Sequence, residues 1–524
     1  MNWDNIIKKH WQLILFNVLT LLIFAVFYGH FGHIIIDSFR EAYIPVQMLK
    51  GQVLYKDIFC VYPPLAYIIN AFLMLIFGTK LRVLYFAGLL ATLGILNSLY
   101  RISNKFLPKT YSLSIVMLTI AASVLSPNVF NFIFPYSYGI IYGILFVLLS
   151  VYFALKGKSK LAYIFYALAI CSKYEFIFLL PILFWYSGKK EFLKSILNII
   201  ATIFIVFLPL LVMGLRVNDL SNICQTILTM SSTKTLYWFY SISGLTFRLE
   251  LIPIYGINFL KCFIPLAFLY FFRHWLVTLL ILVYFCFTIS PAIFVYIFPL
   301  LLILLIFSYK NLNLNKKFLV FSTLAISLKL FFALTLLSYG VYFLPLAVLS
   351  LFIVIPRRYK KSLLIIVFIM SFTFSAKNII SLSEKNIKIE TENGIVYSND
   401  YYGNSIKELI SYINDNTRDN DKILVLPETT AINFLTKRSS DNKFYSLIPL
   451  YIETFGEENI IERLYNNKPK YIVISNYDTS NYYYSYFGQD YAQQIYDYIL
   501  TNYAPIKQVG KGFVFIVFKL KQAM

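Results

Sequence analysis

The sequence predicts an α-helical polytopic membrane protein that ends in a small α/β domain outside the cytoplasm. The chain of 524 residues is 59% hydrophobic and only 14% charged. Apolar runs near the length of a membrane span recur through residues 1–376, and the core of a soluble protein does not absorb so many of them. Residues 377–524 are instead rich in Asn, Asp, Lys and Tyr.

The net charge of +21 is interpreted as a topology signal. Lys and Arg gather in short clusters between apolar runs, for example at Lys156–Lys160 and Arg357–Lys361. Short basic loops mark the cytoplasmic side of a membrane and suit its anionic headgroups. We therefore predict the cytoplasmic (inner) membrane, a cytoplasmic N-terminus, the lipid bilayer as a partner and no nucleic acid.

Placing the basic clusters inside gives about thirteen transmembrane helices. An odd number of crossings from an inside start leaves the C-terminal domain outside. The predicted crossings are Trp11–Tyr28, Arg82–Tyr100, Ser112–Leu125, Tyr138–Leu155, two short arms within Leu161–Tyr186, Ser195–Gly214, Ile252–Phe272, Trp275–Ser290, Pro291–Ser308, Phe318–Ser338, Val341–Ile355 and Ser362–Ala376.

The segment Leu161–Tyr186 is interrupted by Lys173 and Glu175. As a hairpin of two short helices it keeps both flanking basic clusters inside, and each arm is about 16 Å long. Both charges then lie at membrane depth, where charged groups are tolerated mainly when they line a cavity. A Lys/Glu pair that neutralises itself and has no other role is the open alternative.

Residues 29–81 form the predicted first outer loop. Its second half, 64–77, is apolar for only about 14 residues, which is short for a span and typical of an interfacial helix. If it crossed the membrane, the basic residues at 101–109 would be forced outside. We therefore expect this helix to lie along the outer face, so that Asp37 and Asp57 are on one side.

The domain 377–524 alternates short β-rich runs with helix-like stretches, which predicts a partly parallel α/β sheet. The predicted strands are Lys422–Pro427, Lys470–Ser475 and Gly512–Leu520, and the predicted helices are Asn404–Thr417, Glu457–Asn466 and Gln489–Tyr503. The tyrosine-rich stretch Asn476–Tyr498 is interpreted as a surface loop, with stacking on a sugar as the alternative.

The outer loop carries a recognisable order of motifs. Asp37 follows the first helix, Gly51–Asp57 reads Gly-x-x-x-Tyr-x-Asp, Pro63–Tyr67 reads Pro-Pro-Leu-x-Tyr, and Phe77–Gly78 closes the loop. This order resembles the integral-membrane GT-C glycosyltransferases, in the branch of protein O-mannosyltransferases and lipid A aminoarabinose transferase. The predicted topology is similar to that branch as well.

The resemblance implies an inverting, mannosyltransferase-like glycosyltransferase. It would move a hexose or pentose from a polyprenyl-phosphate-linked sugar to a glycan, lipid or protein acceptor of the cell envelope, on the outer face. Asp37 matches the catalytic acid of the first loop, which takes the proton of the acceptor hydroxyl. Asp57 matches a second acidic position.

A departing phosphate also needs positive charge. The candidates for binding the donor phosphate are Arg40, Lys173, Arg216 and Arg248, and those for binding the acceptor or shaping the loop are Glu41, Tyr55, Pro63, Pro64 and Tyr67.

We predict no cofactor, with a divalent metal as the minor alternative. His30 and His33 lie near Asp37, and imidazole with carboxylate suits zinc or manganese. The aminoarabinose branch has a further acid in the outer turn between spans three and four, whereas Ser126–Pro135 contains none. The resemblance therefore does not extend to acceptor or metal use.

Two other functions fit a chain with many spans and charges in a cavity. A transporter or flippase for lipid-linked sugars would show matching halves or broken helices, and no repeat relates the two halves here. A glycan ligase uses the same carrier but usually has its largest outer loop late in the series of spans. Both remain alternatives.

Overall fold

The structure, a computed structural model, describes residues 3–242, 294–328, 340–440 and 442–521, together with Leu280. The helices before the gap at residue 243 are α1 Trp3–Val26, α2 Arg40–Leu49, α3 Leu65–Phe77, α4 Leu81–Ser103, α5 Lys109–Thr119 with a π-helical continuation Ile120–Val124, α6 Tyr138–Ala154, α7 Ser159–Ser172, α8 Leu179–Ser187, α9 Lys189–Val212, α10 Val217–Ser231 and α11 Lys234–Ile242. Those after it are Phe294–Ser308, Leu314–Ile326, Gly340–Val354 and Lys360–Ser383.

Three described helices are long and apolar enough to cross a membrane: Leu81–Ser103, Lys189–Val212 and Arg357–Ser383, the last counted with the 3₁₀ turn that precedes it. Leu81–Ser103 and Arg357–Ser383 each contain a predicted crossing, and Lys189–Val212 overlaps the crossing predicted at Ser195–Gly214. Leu197 and Val212 of α9 are 76% and 79% exposed, as side chains that face lipid are expected to be. The crossings predicted at Ile252–Phe272 and Trp275–Ser290, apart from Leu280, lie outside the described residues. The count of about thirteen stays a prediction.

The hairpin predicted within Leu161–Tyr186 is confirmed. Helix α7 ends at Ser172, Lys173 is extended with φ −156°, and a 3₁₀ turn leads into α8. The hydroxyl groups of Tyr163 and Ser187, near the far ends of the two arms, are 2.8 Å apart and hydrogen-bonded. The chain therefore returns to the side from which it came, and Lys173 lies at the tip.

The short apolar stretch 64–77 forms a separate helix, α3, as predicted. Its buried face includes Tyr67 and Met74. On its other face Phe72, Leu75 and Ile76 are 59%, 69% and 54% exposed. This two-sided pattern suits a helix between protein and lipid, and its orientation along the membrane stays a prediction.

The C-terminal region begins with two short strands, β1 Ile387–Thr391 and β2 Gly394–Ser398. Its further strands are β3 Ile423–Leu426, β4 Tyr471–Ser475, β5 Tyr503–Val509 and β6 Phe515–Leu520, and its helices are Asp400–Asn416, Thr430–Thr436, Pro449–Phe455, Glu457–Asn466 and Gln493–Asn502. Strands β3 to β6 form a four-stranded mixed sheet in the order β3-β4-β6-β5, in which only the β3–β4 pair is parallel. The partly parallel α/β sheet is thus confirmed. The sequence pattern did not predict strand β5 or the hairpin of β1 Ile387–Thr391 and β2 Gly394–Ser398.

That hairpin is hydrogen-bonded to both ends of the loop 29–81, which is predicted to lie outside. The N–H of Tyr397 donates to the carbonyl of Gly29 at 2.8 Å, and the N–H of Leu81 donates to the carbonyl of Asn393 at 2.7 Å. The helix before it, Lys360–Ser383, runs past the proposed boundary at residue 376. The C-terminal region therefore lies directly against the loop that carries Asp37.

Candidate active site

Asp37 lies in the turn that leads into α2. Its φ of 55° is in the left-handed region, which Asp adopts more readily than most residues. Arg40 donates from Nη1 to Oδ1 of Asp37 at 2.7 Å. The side chain of Asp37 is 30% exposed and that of Arg40 is 8% exposed. The carboxylate is therefore the accessible member of a pair that Arg40 holds in place.

The guanidinium of Arg40 is fixed from several directions. Its Nη2 donates to the carbonyl of Tyr136 at 2.7 Å, and its Nε donates to Oε1 of Glu41 at 3.4 Å. Its central carbon lies 4.9 Å from the ring centroid of Tyr62. A planar guanidinium can satisfy all these partners at once, which an ammonium cannot. Arg40 thus presents a rigid positive charge beside Asp37.

Glu41 is fully buried and joins three elements. Its carboxyl group accepts from the hydroxyl of Tyr67 on α3 at 2.9 Å and from the N–H of Tyr138 at the start of α6 at 2.8 Å. Burial raises the pKa of Glu41, and the neighbouring Arg40 opposes this effect. These contacts favour the loop-shaping alternative for Glu41 and Tyr67.

Lys173, at the tip of the α7–α8 hairpin, reaches the same place. Its side chain is buried, and its Nζ lies 4.3 Å from the ring centroid of Tyr62 and 5.4 Å from that of Tyr136. Arg40 and Lys173 therefore both contact the ring of Tyr62. Two cations held by aromatic rings in a partly dry site can stabilise a departing phosphate.

The backbone at Tyr62 is positioned by residues that the sequence also singled out. The hydroxyl of Tyr55 donates to the carbonyl of Tyr62 at 2.7 Å. Pro63 and Pro64 are buried, and Pro64 precedes the first residue of α3. Because proline fixes φ, this step sets the direction in which the chain enters α3.

Glu428 is a site residue that the sequence reasoning missed. It follows β3 after Pro427, and its Oε1 accepts from the N–H of Asp37 at 3.4 Å. Burial, and then the negative charge of Asp37, raise the pKa of Glu428 to about 8, whereas Arg40 lowers it. An acid just beyond the carboxyl end of a parallel strand is a usual place for ligand contacts, and that signal was present in the sequence.

The C-terminal domain docks on the loop through further contacts. The N–H of Phe59 donates to the carbonyl of Lys443 at 3.1 Å. The hydroxyl groups of Tyr43 and Ser440 are hydrogen-bonded at 2.8 Å, and Ser439 donates to Gln47 at 2.9 Å. The site therefore lies between the outer loop and the C-terminal domain.

Two predicted site residues, Asp57 and Arg216, lie elsewhere. Asp57 is exposed in a turn, where its Oδ2 accepts from the N–H of Val53 at 2.8 Å. Arg216 is exposed, and its backbone N–H donates to Asp219 at the start of α10. No hydrogen bond or ion pair between described residues joins either one to Asp37. Arg248 lies outside the described residues.

His30 and His33 make contacts within the chain. The ring of His30 stacks on Tyr397 with centroids 4.0 Å apart. His33 accepts at Nδ1 from the N–H groups of Ile35 and Ile36 at 3.2 and 3.3 Å. Within the described ranges, no three His, Cys, Asp or Glu side chains form a group that could hold a metal ion.

No protein-family model matches the chain, and no curated protein matches it in sequence. Among solved structures it is similar to the Archaeoglobus fulgidus oligosaccharyltransferase in complex with Zn and sulfate, with a TM-score of 0.50 and 11% identity over 90% of this chain and 69% of that one. It also matches ArnT from Cupriavidus metallidurans bound to undecaprenyl phosphate, with a TM-score of 0.49 and 11% identity over 97% of this chain and 98% of that one.

Both proteins are GT-C glycosyltransferases. At 11% identity, the oligosaccharyltransferase match establishes a likeness of fold. The resemblance that the outer loop indicated is thereby confirmed at that level. The chain has a fold similar to that of the integral-membrane GT-C glycosyltransferases.

Proposed function

We propose that this chain is an inverting glycosyltransferase that moves a sugar from a polyprenyl-phosphate donor to an acceptor hydroxyl. The observation that carries the proposal is the arrangement of three side chains. Arg40 is bonded to Asp37, and both Arg40 and Lys173 contact the ring of Tyr62. This arrangement places an accessible carboxylate beside the fixed charge of Arg40, with the charge of Lys173 on the ring of Tyr62 that Arg40 also contacts. The GT-C-like fold supports the same reaction class.

The proposed reaction is a single displacement at the anomeric carbon. Asp37 takes the proton of the acceptor hydroxyl as its oxygen bonds to that carbon. The bond from the carbon to the phosphate oxygen breaks, and its electron pair leaves with the polyprenyl phosphate. Arg40 and Lys173 stabilise the charge that develops there. Phosphate is a good leaving group, so no acid need protonate it, unlike the leaving oxygen in an inverting hydrolase.

We further propose that the site lies on the outer face of the cytoplasmic membrane, with residues 1–376 as the membrane domain and 377–524 as an extracytoplasmic domain. The contacts of the C-terminal hairpin with Gly29 and Leu81 support a common side for the loop and this domain. The exposed apolar face of α3 suits a donor whose prenyl chain stays in the bilayer.

The proposal is tested with purified protein in liposomes and a panel of labelled polyprenyl-phosphate sugars. We expect label in an acceptor fraction together with release of unglycosylated polyprenyl phosphate. Movement of intact donor between leaflets without cleavage would instead establish the flippase alternative. Transfer of whole preassembled glycans, without transfer of single sugars, would establish the ligase alternative.

A further inference from the structure

Glu428 has one carboxyl oxygen in use and one free. Its Oε1 accepts from the N–H of Asp37. Its Oε2 is buried and has no hydrogen-bond partner among the described residues. The residue as a whole is only 9% exposed. A buried polar atom without a partner costs about 1–3 kcal/mol. Such an atom at an active site points to a ligand that completes its bonding.

The surroundings of Glu428 favour its neutral form. Its pKa, raised to about 8 by burial and by the charge of Asp37, lies above neutral pH. Two adjacent carboxyl groups do not both ionise easily, and the nearby Arg40 is already bonded to Asp37. A neutral carboxyl group can donate one hydrogen bond and still accept from the Asp37 N–H.

Two tyrosines of the C-terminal domain lie within electrostatic reach of both acids. Burial and then the charges of Glu428 and Asp37 raise the pKa of both Tyr477 and Tyr482. Flat rings with hydroxyl edges suit a ligand that has an apolar face and polar edges. A sugar ring has this character.

We infer that Glu428 is a neutral carboxylic acid of the active site, and that its free Oε2 donates a hydrogen bond to a hydroxyl oxygen of the sugar substrate beside Asp37. The inference rests on the proposed function, which it deepens by assigning substrate recognition to the C-terminal domain. Asp37 then acts as the base, while Glu428 fixes the sugar on which the base acts.

This role predicts a particular pH dependence. Below about pH 8 Glu428 keeps its proton and its donor, and above that pH it loses both, so sugar transfer should decline as pH rises through this range. The titratable and charged groups that face Glu428 are Asp37, Arg40, Tyr451, Tyr477, Tyr482 and Tyr491. Among them the pKa values of the tyrosines are raised, so these phenols do not titrate in that range.

The test compares Glu428→Gln, Glu428→Leu and the exposed control Glu462→Gln in sugar-transfer assays from pH 6 to 9.5. Gln keeps a donor and an acceptor, so at pH 7 we expect activity within about threefold of wild type and no decline above pH 8. Leu has neither, and kcat/KM should fall about 30-fold at pH 7. The control should keep the wild-type profile.

A Gln variant as inactive as the Leu variant would overturn the inference, because it would mean that Glu428 works as a carboxylate. Full activity of the Leu variant would overturn it too. The infrared carbonyl band of a protonated carboxyl group, present in wild type at pH 7 and lost in Glu428→Gln, is an independent readout, and its absence from wild type would contradict the inference. If wild type transfers no sugar, the proposed function fails, and this band still decides the state of Glu428.

Discussion

Two carboxyl groups meet at the candidate active site, and their surroundings separate their chemistry. Asp37 is partly exposed and ion-paired to Arg40, whereas Glu428 is buried and lies against the backbone of Asp37. When two carboxyl groups lie in different environments, their pKa values differ, and this is the usual basis for distinct acid and base roles. We therefore propose that Asp37 takes the proton and that Glu428 recognises the substrate.

Asp57 is the other acid that the motif suggested, and its contacts indicate a turn-stabilising role. In Asp57→Asn the amide oxygen can still accept from the N–H of Val53, so we expect kcat within about threefold of wild type, as for most surface substitutions. Initial rates of sugar transfer check this. A loss as large as that of Asp37→Asn would establish the predicted second catalytic acid.

The turn before helix α2 depends on His33 in its neutral form. His33 accepts two backbone N–H groups at Nδ1, and protonation would remove that acceptor. Burial, and then the charge of Lys385, lower the pKa of His33 to about 4. Lys385 itself donates to the carbonyls of His30, Gly32 and Pro127, so it also holds the loop.

This histidine predicts acid sensitivity of the fold. Its pKa is about 6.5 when unfolded and about 4 when folded, so its stabilising contribution is present above pH 6.5 and lost as pH falls towards 4. The difference amounts to at most about 3 kcal/mol. In His33→Asn an amide oxygen replaces Nδ1 without titrating, and that part of the slope should vanish. Unfolding temperatures in detergent between pH 4 and 7 measure it, and equal slopes in both proteins would contradict it.

Local patterns made several elements predictable. The charges that interrupt Leu161–Tyr186 indicated the hairpin, and the short apolar length of 64–77 indicated α3. Strand β5 was not predicted because four consecutive residues, Pro505 to Gln508, are exposed, so the strand lacks the alternation of a half-buried strand. Glu428 was not predicted as a site residue because its contact with Asp37, 391 positions away in the sequence, forms only when the C-terminal domain packs on the loop. Arg40 and Lys173 were predicted as candidates, but their meeting at Tyr62 depends on the packing of helices.

At the scale of the whole molecule, the outer loop and the C-terminal domain form one unit. The β1–β2 hairpin bonds to both ends of the loop, at Gly29 and Leu81. Aromatic contacts also join the two parts, and the ring centroids of Phe59 and Phe455 are 4.8 Å apart. These contacts place both parts on the same side of the membrane. The predicted odd number of crossings between the N-terminus and each part is consistent with this.

This arrangement predicts the outcome of a topology experiment. An epitope tag at the C-terminus and one inserted at the exposed Lys56 should both be cleaved by protease added from outside to intact spheroplasts. A tag at the N-terminus should be protected until the membrane is broken. Protection of the C-terminal tag would contradict the proposed outer-face location of the site.

The role of Asp37 is tested by comparing sugar transfer by wild type, Asp37→Asn and the control Asp497→Asn, whose aspartate is exposed on a helix of the C-terminal domain. The amide cannot take a proton, so Asp37→Asn should lower kcat at least about 100-fold, while the protein still inserts and folds. The control should keep wild-type activity. Wild-type turnover by a well-folded Asp37→Asn protein would contradict the assignment of Asp37 as the base.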